Sequence, residues 1–157
     1  MLSSLQKANL YLSYFAFSKV PLLWLCRPKI LRVNEHMVEM KIPLKRRTKN
    51  HLNSMYMGAM VMGADVAGGF MAAMKARAQG REISLAFKGI TAEFLMRPES
   101  DVHFICSDGP LIDEMLKQTL TSGERVNKEV QITAICPTLH GDKPMAKFSV
   151  TLSLKAK

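Results

Sequence analysis

The sequence predicts an α+β domain with a largely antiparallel sheet. Three observations carry that expectation. The twenty residues from Met55 to Met74 are apolar or small on every face and hold one charge, Asp65. Later segments alternate apolar and polar residues with the period of two that marks a half-buried strand. A hydrophobic share of 48% beside 22% charged residues, over 157 residues, fits one domain with a real core and excludes a disordered chain.

Taken in order, Leu10 to Cys26 reads as an apolar helix. Lys19 and Pro21 interrupt it and no small-residue cleavage site follows, so it is a poor span or signal peptide. A helix packed on the domain is expected, with a membrane-surface anchor as the second reading. Val38, Met40 and Ile42 alternate with Glu39 and Lys41 as a strand ending at Pro43. The basic run Lys45, Arg46, Arg47 and Lys49 opens a loop, after which Asn53 or Ser54 is expected to cap the long helix. A carboxylate at the centre of a lipid-exposed helix costs about 2.5–3.5 kcal/mol, so this helix is expected inside a soluble core. Its Gly and Ala positions allow close approach of a sheet or sister helix, and Gly80 ends it.

Ile83, Leu85 and Phe87 hold odd positions of the next strand, and Ile90, Ala92, Phe94 and Met96 hold even ones. The phase flips at Lys88-Gly89, as a β-bulge requires. Val102–Cys106 is a strand, Pro110–Leu120 an amphipathic helix, and Val126–Cys136 and Met145–Lys155 are long strands. No repeat or linker divides the chain.

Net charge is +9, yet ten basic and two acidic residues fall within the first fifty positions, and the last fifty-seven are balanced. That patch suits phosphates or an anionic membrane surface. Nucleic acid is not an expected partner, because no zinc-finger, helix-turn-helix or aromatic-interleaved pattern accompanies the charge. Cys26, Cys106 and Cys136 are odd in number and unrelated in spacing, which suits thiols in a reducing, cytoplasmic compartment. His36, His51, His103 and His140 lack metal-ligand spacing, so no metal is expected.

Asp65 is the candidate for chemistry, since a carboxylate in an apolar helix must face a cavity or a hydrogen-bond partner. The amides of Met57 and Gly58 lie near the helix start, where free N–H groups favour an anion. Seven residues separate Gly58 from Asp65, ~10 Å along the axis, so one carbonyl cannot contact both. Two antiparallel copies of the helix would bring them together, which predicts a homodimer with shared sites.

The enclosed helix, followed by a strand ending Phe94-Leu95-Met96-Arg97-Pro98, resembles the hotdog-fold acyl-CoA thioesterases, most of all the phenylacetate-pathway type and a side branch of that superfamily. In that family the helix entry reads His-Gly-Gly, with an acid nine positions after the His; here Tyr56-Met57-Gly58 stands there, with Asp65 at the acid. The family's Asn or Gln, fifteen before the acid, falls on Asn50.

The resemblance covers roughly residues 35–155. It implies a hotdog core over 35–157. Residues 1–34 lie outside it and are expected to be a helical extension, apolar enough to close the acyl tunnel or to pack on the sheet's outer face. The resemblance also implies a homodimer or tetramer, and no cofactor beyond the coenzyme A of the substrate. Arg97, Arg125 and Lys128 are the cations considered for the coenzyme A phosphates. His51, Asn53 and Lys88 are weaker site candidates, as surface, cap and bulge residues. The expected function is acyl-CoA or acyl-carrier-protein thioester hydrolysis. A non-catalytic acyl-thioester or lipid-binding protein is the alternative, because Tyr56 and Met57 replace the His and first Gly. A dehydratase of the same fold is disfavoured, since no Asp-x-x-x-x-His pair opens the helix.

Overall fold

The structure is a computed structural model describing residues Met1–Lys157. The first helix, α1 (Ser4–Lys19), opens with a reciprocal cap: Ser3 Oγ accepts from the Gln6 amide, and Gln6 Oε1 accepts from the Ser3 amide. It stops at Val20 because Pro21 disfavours helical backbone in the residue before it. Pro21 then starts a second short helix, α2 (Pro21–Cys26), closed by Arg27 in the left-handed region at φ 52°. The single helix expected over Leu10–Cys26 is therefore two.

The expected helical extension also carries a strand. Residues Lys29–Val33 form β1, which pairs antiparallel with β2 (Val38–Ile42) through a turn held by Asn34 Oδ1, the acceptor for the His36 and Met37 amides. Strand β1 is short and bulged between Ile30 and Arg32, which hides its alternation in the sequence. Asn9 ties α1 to it: its Oδ1 accepts from the Ile30 amide at 2.8 Å and its Nδ2 donates to the Ile30 carbonyl at 2.9 Å.

The long helix α3 runs unbroken from Met57 to Ala78. Its cap is Tyr56, and neither Asn53 nor Ser54 has the expected role. Asn53 sits in a left-handed turn at φ 59°, and the Ser54 hydroxyl donates to Asn50 Oδ1. Helix α3 is long and apolar enough to cross a membrane, at mean hydropathy 1.4, but 61% of that stretch is buried in the fold. It is the core helix of the domain.

Strands β3 (Ile83–Phe94), β4 (Val102–Cys106), β5 (Val126–Ile135) and β6 (Pro144–Ala156) complete a six-stranded antiparallel sheet in the order β1-β2-β4-β5-β6-β3. The sheet packs around α3, with α4 (Gly109–Ser122) beside it and a single turn, α5 (Pro137–His140), between β5 and β6. Close approach depends on glycine: a Cβ at Gly63 would lie 2.3 Å from the Phe104 ring, and one at Gly69 would lie 2.9 Å from Phe87. In β6 the inward row from Ala146 to Leu154 is buried throughout. The expected bulge falls between Phe87 and Gly89 of β3. Beyond it the second apolar row is uncovered, with Ile90 and Phe94 exposed on an unpaired sheet edge.

Candidate active site

Asp65 occupies the third turn of α3. It is half-buried, and no hydrogen bond or opposite charge supports it. Desolvation pushes its carboxyl from an ordinary 3.8 up to about 6. It lines a cavity of ≈560 Å³ with twelve hydrophobic residues among its sixteen. Tyr11, Leu12 and Phe15 of α1, Val20 and Leu23 at α2, and Met62, Phe70, Leu85 and Phe87 supply most of that wall. Lys157 and Ser84 are the other polar residues on it.

The two N-terminal helices thus cover the cavity that Asp65 faces, rather than the outer face of the sheet. Tyr11 is the joint. Its ring lies 6.2 Å from Phe70 and under the Arg77 guanidinium at 5.0 Å, both on α3. Cys26 of α2 meets Met62 of α3 at 3.8 Å. These α1 and α2 wall residues escape the sequence reading because Leu10, Tyr14 and Phe17 fill the opposite face of α1, so no clean amphipathic pattern marks the buried side.

The entrance of α3 is a second locus. No side chain caps it, and the amides of Met57, Gly58 and Ala59 find no acceptor in the chain. The Tyr56 ring folds over Gly58, where a Cβ would lie 2.6 Å from Cε1, so this arrangement needs glycine. Asn50 organises the preceding loop: its Oδ1 accepts from the Leu52 and Ser54 amides. The loop is pinned to the helix entrance by the Tyr56 amide donating to the Thr48 carbonyl and by the Met55 amide donating to the Pro98 carbonyl. Asp101 anchors its start, accepting from the Leu44 amide and pairing with Lys41 at 3.1 Å.

One chain therefore gathers Asn50, Met57, Gly58 and Arg97 at one end of α3 and leaves Asp65 two turns away. It does not gather the three expected cations. Arg97 adjoins the helix entrance, with only a 3.9 Å contact to Glu99. Arg125 bonds Ser153 and Ser84, ten residues before the end of β3 and thus ~33 Å from it along the strand. Lys128 is paired with Glu114 of α4 at 2.8 Å. Their spacing in sequence could not reveal this, since it depends on which strand ends the sheet brings together. His51 and Lys88 are exposed, the first in the loop turn and the second at the bulge. The three thiols are free and buried, and no cluster of His, Cys, Asp and Glu has metal-binding geometry.

A comparison of the sequence with the curated proteins finds no match. Among solved structures, the chain is similar to a protein of unknown function from Chlorobaculum tepidum, with a TM-score of 0.83 at 12% identity, covering 97% of this chain and 96% of the other. It is also similar to a Pseudomonas aeruginosa protein described as a probable thioesterase (0.76, 16% identity, 100% and 99% covered) and to a Haemophilus influenzae thioesterase (0.67, 17% identity, 99% and 93% covered). At such identities the likeness establishes the hotdog fold, and its coverage extends over the two N-terminal helices as well as the core. The chain belongs to the family described as Domain of unknown function (DUF4442), whose model matches residues 8–151.

Proposed function

We propose that the protein is a hydrolase of acyl thioesters, carried on coenzyme A or an acyl carrier protein in the cytoplasm, with Asp65 as the acid–base residue. One observation carries the reading: a lone, unsupported carboxylate stands in the wall of an apolar cavity, with its pKa raised to about 6. A carboxyl titrating near 6 is a better proton acceptor at neutral pH than an ordinary one and is still ionised there. In the reaction, a water held by Asp65 gives its proton to the carboxylate as its oxygen bonds the thioester carbonyl carbon. The carbonyl oxygen becomes an oxyanion stabilised by helix-start amides. Collapse breaks the C–S bond, and the proton on Asp65 passes to the leaving thiolate. Attack by the Asp65 carboxylate itself, through an anhydride that water then opens, assigns the same residue a nucleophilic role.

The oxyanion donors in this scheme are the partner's Met57 and the partner's Gly58, which makes the working unit a homodimer. The ~10 Å axial separation within one helix motivates that step. The open edge of β3 supports it, because a twelve-residue strand paired on one side only, with exposed Phe87, Ile90 and Phe94, invites a second copy. Arg97 is the cation best disposed for the phosphates of the carrier. The Tyr56 ring over Gly58 favours a second reading, an acyl-thioester binder without turnover.

A panel of acyl-CoA lengths, run with wild type and Asp65→Asn, tests the proposal. Hydrolysis that Asp65→Asn abolishes supports the enzyme. Tight binding of acyl-CoA without hydrolysis supports the binder, and unchanged turnover in the variant removes Asp65 from the chemistry.

A further inference from the structure

We infer that the outer face of the α1–α2 pair is a docking surface for an anionic lipid bilayer. Two features of α1 are separate. Its inner row, Ala8, Leu12 and Ala16, is buried against the domain. The opposite row, Leu10, Tyr14 and Phe17, follows helical spacing on the far side and is exposed by 58, 68 and 63%. A solvated helix would carry polar residues there. On α2, Leu22 and Leu25 are exposed as well.

The two helices present this material together. The Phe17 ring meets the Trp24 ring edge-on at 5.7 Å, and the Arg27 guanidinium lies 4.1 Å above Trp24. An open groove of ≈730 Å³, about half of its lining residues polar, joins Leu2, Leu5 and Leu10 of the N-terminal end to Trp24, Arg27 and Lys29. Leucine with Trp and Tyr, ringed by long cationic side chains, is the composition that settles at the boundary between headgroups and acyl chains.

Charge selects the occupant. No acidic residue precedes Glu35, while Lys7, Lys19, Arg27 and Lys29 lie in that stretch without a carboxylate partner; the Arg32 charge is met by Glu39. A second copy would set one such face against another and repel it. An anionic bilayer complements it instead. Length fixes the pose: sixteen residues of α1 span ~24 Å, short of the ~30 Å hydrocarbon core, so the helix lies in the interface plane. The inference does not depend on turnover at Asp65, because the residues concerned are outside the cavity wall.

The test is co-sedimentation of the full chain with vesicles of phosphatidylcholine alone or with 30% phosphatidylglycerol (about 30 mol%, enough for a negative surface). Wild type is expected to bind the anionic vesicles at least about tenfold more tightly than the neutral ones and to release in high salt. Leu10→Gln/Phe17→Gln and, separately, Lys7→Gln/Arg27→Gln/Lys29→Gln are each expected to weaken binding at least about tenfold. The basic-residue variant leaves every apolar side chain in place and loses only the Arg27 contact with the Trp24 ring, so it decides the matter if the apolar variant fails to fold. Wild type remaining in the supernatant with anionic vesicles overturns the inference. So does full binding by the basic-residue variant, or a lower mass by light scattering for folded Leu10→Gln/Phe17→Gln, which would assign the face to a second copy.

Discussion

Two carboxylates sit in this fold with little access to water, and their surroundings are opposite. Glu39 of β2 is 7% exposed. Burial alone would raise its pKa, but the His103 ring at 2.7 Å and the Arg32 guanidinium at 2.6 Å hold it below its ordinary value. Asp65 of α3 has burial and nothing else, and its pKa goes up. One site has been assembled to keep a charge content. The other keeps a charge in want of a partner, beside a cavity large enough to admit one. Burial by itself does not separate a structural acid from a working one; the presence or absence of compensation does.

The sharpest way to break the comparison is to remove the Asp65 charge. Asp65→Asn is expected to lose at least about a hundredfold in thioester hydrolysis, the scale for a positioned acid–base group, measured by thiol release. The same variant should gain stability at neutral pH. A folded pKa of about 6 against an ordinary 3.8 means that stability is full below pH 3.8 and is lost as pH rises through 6. The loss is up to about 3 kcal/mol, so denaturant melts above pH 6 should show Asp65→Asn ahead by as much as that. Hydrolysis by wild type should rise through an acid limb with its midpoint near 6 in kcat/KM, as Asp65 ionises.

Glu39→Gln should do the reverse of Asp65→Asn, costing about 2 kcal/mol of stability with little change in rate, because it takes the carboxylate from a partly buried His103, while Arg32, 65% exposed, stays solvated. The pH dependence is opposite in sign too. The stability that Glu39 contributes is present above pH 4.5 and is lost as pH falls through its depressed folded pKa. Urea melts from pH 7 down to pH 3 should show wild type converging on Glu39→Gln. The smallest expected effect concerns the cavity wall. Tyr11→Ala loosens α1 from Phe70 and Arg77 and should shift the preferred acyl length by a few carbons, read on an acyl-CoA panel.

Much of this architecture was legible in the sequence because local pattern and final packing agree. The β3 phase flip at Lys88-Gly89 is the observed bulge, and the alternation in β6 is the observed inward row. The glycine-rich helix is the enclosed one, with Phe104 seated on Gly63. Strand β1 was not legible, since Ile30 and Leu31 are adjacent and its bulge breaks the period. Nor was the helix cap: Asn53 and Ser54 have the right chemistry, but the loop uses them to close a turn on Asn50. At the site, Asp65 stood out as a solitary charge. The cavity opposite it did not, because much of its wall comes from α1 and α2, about fifty residues upstream, where exposed Leu10, Tyr14 and Phe17 mask the buried side.

Asn9 has a consequence for how far this sheet can grow. With both polar atoms of its side-chain amide on Ile30, it stands where the next strand would pair, and β1 is short and bulged besides. Only β3 offers a long open ladder. Two chains joined antiparallel at β3 would leave a blocked β1 at each outer end. The assembly would then be closed by its own geometry: a twelve-stranded sheet with no template left for a third chain, and so no route to a filament.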